Sequence, residues 1–365
     1  MHYGDSQIEG DRITSFLRNR LQKKFGGMGV GLVPVKHVYD FKFSIIQDDS
    51  ENWIRYTLYG NKDTTLTHNR YGALASFARF SPYVKDTLSD LQNYEAWVAF
   101  SPSTYSYANT KHFQQCRVFY SHNREPFVTE LYQGEELSEA EMYPASSSLQ
   151  TIQWIFDQPI SDIKIVFKGS DSPDIYCIAL DGIGGVAVDN IPMRGNAGLV
   201  FTKMDESLLK EHYKLLNTKL IILQFGGNVV PYITDYGYYE RLFSAQIRRI
   251  KKVAPEVAII VIGVSDMSIK EKNRYVTYPN LEKVRDALKK ATLNNGAVYW
   301  DMYEAMGGKN SMPSWVFANP PLAAKDFVHF NPKGAKIIAH MFYNSLMYEY
   351  NLYKKSTSHT DESND

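Results

Sequence analysis

Two unbroken apolar runs constrain the fold of this chain more than any other feature. Leu220-Ile221-Ile222-Leu223 and Val257-Ala258-Ile259-Ile260-Val261-Ile262 do not alternate with polar residues, which marks strands buried on both faces rather than strands with one face in water. Strands are read at 185–189, 219–225, 257–263 and 297–301. Between and after them, helical periodicity is read at about 205–217, 239–253, 280–294 and 333–349. Parallel strands need crossover connections of this kind. The C-terminal half is therefore expected to form a doubly wound, three-layer α/β/α sheet, with its site at the carboxyl ends of the strands.

Between Pro34 and about Asp181 the pattern changes. Ile54 to Tyr59, Ala96 to Phe100, Arg117 to Tyr120, Thr151 to Phe156 and Lys164 to Phe167 are short, aromatic or β-branched, and separated by turn residues. Without amphipathic helices between them, such strands predict an antiparallel β-sandwich. At 365 residues the chain is long enough for two domains. The expected division is a discontinuous α/β domain over 1–34 and 181–353, an inserted sandwich over 35–180, and a Ser/Thr/Asp-rich disordered tail over 354–365.

Charge narrows the partners. Forty basic residues balance forty acidic ones, without a sustained Lys/Arg stripe, and nucleic-acid binding rests on neutralising phosphates. Nucleic acid is not expected as a partner. No apolar run approaches the roughly 20 residues that span a bilayer, so no membrane span is expected. The two cysteines, Cys116 and Cys177, each lie in an apolar run, where buried free thiols and a disulfide both remain open. His112, Cys116 and His122 lack the close paired spacing of zinc ligands, and no phosphate-cradling glycine loop is present. Neither a metal nor a cofactor is implied. Composition leaves the oligomeric state open.

The chemistry-bearing residues stand at the two ends. Gly4-Asp5-Ser6 is answered by Asp326-Phe327-Val328-His329, which together supply a nucleophile, a general base and an orienting carboxylate. Gly-Asp-Ser alone is also a common turn, and Lys168-Gly169-Ser170-Asp171-Ser172 is read as only that. Two further blocks stand between the ends in order: Ile191-Pro192-Met193-Arg194-Gly195, and Gln224-Phe225-Gly226-Gly227-Asn228 after an apolar run. Asn331-Pro332 then reads as an N-cap and first-turn proline ahead of the last helix.

Together Ser6, Gly195, Asn228 and His329, with Asp326, resemble the SGNH (GDSL-type) hydrolase superfamily over residues 1 to about 34 and about 180 to 350. The resemblance implies a flavodoxin-like parallel sheet with Ser6 as nucleophile, His329 as general base and Asp326 as the acid orienting it. It also implies an oxyanion hole formed by the Ser6 N–H, the Gly195 N–H and the Asn228 amide. One residue departs from the pattern: Val229 stands where the family usually has Asp after this Asn, which bears on loop geometry more than on chemistry. Asp5 is read as a turn former, not as the triad acid.

An inserted sandwich in such a hydrolase is similar to the arrangement of bacterial peptidoglycan O-acetylesterases, whose added domain looks like a carbohydrate-binding module. The expected activity is removal of small acyl groups, foremost acetyl, from peptidoglycan or another polysaccharide. An O-acetyltransferase, a general lipase or thioesterase, and a non-catalytic carbohydrate-binding protein are the alternatives. Tyr105, Tyr107, Tyr132 and Tyr143 either stack on sugar rings or pack. Trp315 forms a wall of the substrate pocket or packs its own Gly/Pro-rich loop. Only Met1-His2-Tyr3 precede the Gly-Asp-Ser block, short for an interior strand. A longer protein carrying a secretion signal is expected on that ground, and the expected substrate and the resemblance imply a periplasmic or cell-surface location.

Overall fold

The computed structural model describes residues 1–39, 43–60, 63, 66, 68–83 and 92–361, with side chains to Thr357. A five-stranded parallel sheet is built from β1 (His2–Gly4), β2 (Asn190–Pro192), β3 (Leu220–Gln224), β4 (Ala258–Ile262) and β5 (Val298–Trp300) in the order β2-β1-β3-β4-β5. That is the flavodoxin-like order, with its reversal at β1. The continuous apolar runs fill both faces. Ile221, Leu223, Ile259 and Val261 pack on one side with Leu209 of α2 (Glu206–Leu215), Phe243 and Ile247 of α3 (Tyr236–Val253) and Leu288 of α4 (Leu281–Asn294). Ile222, Ile260 and Ile262 pack on the other with Phe16 and Leu17 of α1 (Thr14–Phe25) and Ile338 and Phe342 of α5 (Pro332–Asp361).

β1 is three residues long yet central, with His2, Tyr3 and Gly4 paired to Asn190, Ile191 and Pro192 on one edge and to Ile222, Leu223 and Gln224 on the other. The strand expected at 185–189 does not form there. Gly185 (φ +83°) crosses so close to the end of α1 that a Cβ would sit 2.2 Å from the Gly27 nitrogen. The Val186 N–H bonds to Gly26 O instead of to a strand. Pairing starts only after Asp189, whose carboxylate takes the Leu32 N–H at 2.9 Å.

Two antiparallel sheets face each other over the sequence between the first and second parallel strands. One contains Ile54–Thr57, Ser76–Arg79, Phe113–Ser121, Gln150–Ile160 and Asp174–Asp181; the other Ile45–Asp49, Tyr94–Pro102, Phe127–Gln133, Glu136–Tyr143 and Ile163–Gly169. Val118, Ile152 and Trp154 from the first meet Val98, Phe100, Ile165 and Phe167 from the second in a closed apolar core. Gly29–Val33, expected in the α/β part, pairs antiparallel with Asp174–Asp181 and so belongs to the first sheet. The glycines at 29 and 31 let the strand lie against Leu180 and Asp189 where a Cβ would collide.

The outer face of that first sheet is not free. Phe77, Phe119, Tyr176, Cys177 and Ala179 share one apolar cluster with Tyr3, Ile191, Phe201 and Tyr213 of the α/β part. Tyr176 and Phe119 flank the buried His212 ring of α2 at 5.0 and 6.1 Å. Tyr3 Oη donates to Ala73 O at 3.0 Å. Cys116 and Cys177 face opposite sides of this sheet, one in each cluster, and both are free; a disulfide between them is geometrically excluded, and burial pushes both thiols up. At the other end α5 runs on to Asp361, so residues 354–361, expected as part of a tail, continue the helix.

Among the described residues no helix is long and apolar enough to cross a membrane, and no group of three His, Cys, Asp or Glu is placed to hold a metal ion.

Candidate active site

Ser6 stands two positions past the end of β1, and the Gly195 and Asn228 loops follow β2 and β3. All therefore lie at the carboxyl edge of the sheet, beside its switch point. The Asp5 N–H bonds to Gln224 O at 3.1 Å and the Met193 N–H to Gly4 O at 2.7 Å, which locks the first two loops together. Gly4 has no room for a side chain there: a Cβ would lie 2.9 Å from Ile8 Cδ1 and 3.0 Å from Gln224 O.

Ser6 Oγ lies 2.8 Å from His329 Nε2, and His329 Nδ1 lies 2.8 Å from Asp326 Oδ2. The other carboxylate oxygen accepts the Val328 and His329 backbone N–H groups at 2.9 and 3.0 Å. Burial alone would push the Asp326 carboxyl up, but the His329 ring and these two N–H groups outweigh it, and its pKa falls below the usual carboxylate value. The anion is thus stable where it faces the ring. An Nδ1–H pointed at Asp326 leaves the Nε2 lone pair for the Ser6 hydroxyl.

The loop bearing His329 is anchored on several sides. Gln7 Nε2 donates to Val328 O at 2.8 Å, and the Ser268 N–H donates to Phe327 O at 3.0 Å. Asn331 caps α5, its Oδ1 accepting the Lys333 and Gly334 N–H groups at 3.0 Å each. Trp315 belongs to this support rather than to the pocket. Its ring is 8% exposed and packs against Phe330 at 5.2 Å, while its Nε1 donates to Met306 O. With its N–H satisfied and its faces covered, Trp315 has no surface to offer a ligand; the pocket-wall reading is corrected to packing.

Ser6, Asn228 and His329 line one pocket of about 220 Å³, together with Asp5, Pro231, Tyr232, Val264, Met267, Tyr278 and Met302. Asn228 Nδ2 donates to Asn196 O at 3.1 Å. A primary amide has two N–H donors, so one ties the Gly195 loop to the Asn228 loop and the second is available to a ligand. Gly195 is exposed with φ +75°, and no atom lies within 4 Å of where its Cβ would be. The Asp5 carboxylate caps the turn by accepting the Gln7 N–H at 3.0 Å. Burial raises its pKa to about 6 against the opposing pull of Gln7 and His329.

The four tyrosines of the sandwich divide. Tyr105 is exposed, Tyr107 packs near Phe43 at 5.7 Å, Tyr132 donates to Glu130, and Tyr143 leans on Phe127 at 5.5 Å and donates to Glu141. The sequence reading missed two groups at the site. One is the ion pair of Glu9 with Arg194. The other is a hairpin, Ser268–Glu271 with Arg274–Thr277, that seats Tyr275 under Phe327. The sequence signal for the hairpin was the polar, charged run Lys270-Glu271-Lys272-Asn273-Arg274 set between Ile269 and Tyr275-Val276.

Residues 178–337 match the model of the GDSL-like Lipase/Acylhydrolase family. The chain carries a GDSL-like lipase/acylhydrolase domain, and with it the assignment to ester-hydrolysing enzymes. The Gly195, Asn228 and His329 blocks all fall inside the matched acylhydrolase segment; Ser6 reaches it through β1. A solved peptidoglycan O-acetylesterase is similar in fold along nearly the whole chain, with a TM-score of 0.74 at 20% identity, covering 95% of this chain and 89% of that one. A family two carbohydrate esterase from Clostridium thermocellum, in complex with cellohexaose, gives 0.28 at 8% identity over 82% and 99%. The acetyl xylan esterase AlAXEase gives 0.31 at 15% over 42% and 78%. No curated protein matches the chain.

Proposed function

We propose that this acylhydrolase is a serine esterase that removes small acyl groups, foremost acetyl, from a carbohydrate such as peptidoglycan or another polysaccharide. The observation that carries the chemistry is the continuous relay from Ser6 Oγ through His329 to Asp326, with both links at 2.8 Å. In this reading His329 Nε2 takes the hydroxyl proton as Ser6 Oγ attacks the ester carbonyl. Asp326 holds the Nδ1–H and stabilises the imidazolium without accepting its proton. The Ser6 N–H, the Gly195 N–H and the free Asn228 amide N–H receive the developing oxyanion. The imidazolium then protonates the sugar oxygen as its bond to the acyl carbon breaks, so that the sugar leaves as the alcohol, and the same ring activates the water that releases the acid from the acyl-enzyme.

The small acyl preference is supported by the modest pocket volume of about 220 Å³ and by Pro231, Val264, Met267 and Met302 on its wall. The carbohydrate part is supported by the fold shared with the peptidoglycan O-acetylesterase over both the parallel sheet and the sandwich. On that basis the parallel-sheet part carries the chemistry, the sandwich contributes to polymer recognition, and the site of action is the periplasm or cell surface. Acetate release from O-acetylated peptidoglycan, acetylated xylan and nitrophenyl esters of increasing chain length tests the proposal. The expected order is acetyl above butyryl above octanoyl, with turnover of at least one acetylated polymer. Preference for octanoyl esters, or activity on no ester, overturns it.

A further inference from the structure

Arg194 sits immediately before Gly195 and is exposed, and its guanidinium turns back toward the serine block. Its Nε donates to Glu9 Oε2 at 2.7 Å, and its Nη2 donates to Glu9 Oε1, a two-pronged fork. Glu9 lies three residues after Ser6, at the kink where the short helical turn breaks (φ -57°, ψ 145°), and is only 8% exposed. A carboxylate so buried requires a matched cation. The Glu9 main chain is held as well, with Arg12 Nε donating to Glu9 O at 2.8 Å and Arg12 Nη1 reaching Phe330 O, next to His329. The pair therefore joins the two loops whose backbone N–H groups would face one oxyanion, and Arg12 extends the connection to the histidine loop.

The sandwich completes this arrangement. The Arg194 guanidinium lies 5.5 Å from the centroid of the Tyr39 ring, a cation–π contact. Tyr59 Oη donates to Pro192 O at 3.4 Å and itself accepts from Arg55 Nη2 at 2.8 Å. Both tyrosines come from the segment between the first and second parallel strands, and both grip the three residues that lead into Gly195.

We propose that Glu9 and Arg194, backed by Tyr39, are positioning residues that set the spacing of the Gly195 and Ser6 oxyanion donors, so that the inserted sandwich is a built-in part of the oxyanion hole. A planar guanidinium held along one edge by two bonds to a carboxylate and on one face by a ring has little freedom to pivot. Donors of this kind act only when aimed at the place where charge develops. The inference rests on the proposed roles of Ser6 and Gly195.

The test is steady-state kinetics on nitrophenyl acetate together with the rate of covalent labelling by a fluorophosphonate, whose tetrahedral adduct forms at the same oxyanion hole. For Arg194→Ala, kcat and the labelling rate are expected to fall together by 10- to 100-fold with KM within twofold. Arg194→Lys should recover only part of the loss, because it keeps the charge but not the fork. Tyr39→Ala should lose several-fold in kcat, and Tyr39→Phe should match wild type, since the ring face and not the hydroxyl meets the guanidinium. Glu9→Gln is the second route to the same loss if Arg194→Ala unfolds, which circular dichroism and thermal melting would reveal. Folded variants with unchanged kcat, a loss confined to KM, or full recovery by lysine would each overturn the inference. A wild-type protein that hydrolyses no ester and takes no label would instead overturn the proposed function itself.

Discussion

The Phe327 ring stacks on Tyr275 with 3.6 Å between centroids and 12° between planes, although Phe327 lies between the acid and the histidine and Tyr275 is on a hairpin some fifty positions earlier. Phe327 holds a left-handed backbone conformation, φ +59°, which is unfavourable for a bulky residue. The stack, the Ser268 N–H bond to Phe327 O and the edge contact with Phe317 at 5.6 Å hold it there. That conformation turns the chain so that the Asp326 carboxylate and the His329 ring face one another.

Removing the stack should loosen the turn without touching the reacting groups. Tyr275→Ala is expected to lower kcat about 10-fold on nitrophenyl acetate, on the scale by which small misplacement reduces rates, while Tyr275→Phe keeps the rate. Wild-type kcat in a folded Tyr275→Ala protein would show that the bonds to Asp326 fix the turn unaided.

Ser6 and His329 should behave as one unit. Ser6→Ala and His329→Ala are each expected to reduce turnover by about 10⁴-fold or more, with the double variant little worse than either. Asp326→Asn removes the charge that stabilises the imidazolium and should be severe but milder than the other two. Near-normal rates in Ser6→Ala would remove the serine from the mechanism.

Asn228 is committed twice, once to Asn196 O and once, in the proposed reaction, to the oxyanion. Asn228→Ala should lower kcat by about 100- to 1000-fold with little change in KM, as expected for loss of one donor. A change in KM alone would make Asn228 a ground-state binding residue.

Much of this site was legible because its parts are local in sequence. Asp326 and His329 share one loop, Ser6 stands two positions after a glycine that the close packing of Ile8 and Gln224 requires, and Asn228 follows a Gly-Gly pair just past an apolar run that reads as a buried strand. The parallel sheet was legible for the same reason in β3, β4 and β5. The Glu9–Arg194 pair was not, since each residue reads alone as a solvated turn charge and 185 positions separate them. Val186-Ala187-Val188 carried strand composition, but the glycine crossing at Gly185 and Gly27 sends its hydrogen bonds elsewhere. Trp315 was undecidable from a loop sequence, because only the packed structure shows which way its ring and N–H are satisfied. The shared core between sandwich and sheet was hidden too: a strand such as Asp174–Asp181 buried on both faces reads the same whether its outer face meets a helix layer or another domain.

Asp5 gives the fold a pH dependence of calculable sign. Its carboxyl titrates near 3.8 when unperturbed and at about 6 in the folded protein, with burial the main cause. Between these values the folded state keeps a proton that the unfolded chain has released, so Asp5 makes stability fall as pH rises through this window and leaves it lower above. Asp5→Asn keeps an oxygen for the Gln7 N–H and removes the charge. The variant should melt a few degrees above wild type at pH 8 and converge with it near pH 4. A variant less stable than wild type at pH 8 would mean that the ionised carboxylate makes a stronger favourable contact than its burial costs.

Excising the sandwich distinguishes a tethered module from a structural half. A sequence reading of an inserted carbohydrate-binding module leads to the expectation that replacing residues 35 to 180 by a short linker spares activity on small esters more than on polymer. The structure argues for a different outcome. The outer face of the first antiparallel sheet buries Phe119, Tyr176 and Cys177 in the same cluster as Tyr3 and Tyr213, and His212 of α2 loses both of its aromatic neighbours without it. Each large aromatic removed from such a core costs about 3 to 5 kcal/mol, against a total stability of about 5 to 15 kcal/mol for a typical protein. The excised chain is therefore expected to be insoluble or to lack a cooperative melting transition, and Tyr176→Ala should lower the melting temperature of the whole protein by several degrees. A folded, monodisperse excised chain that still turns over nitrophenyl acetate would show that the α/β part stands alone, and would return the sandwich to the role of an appended module.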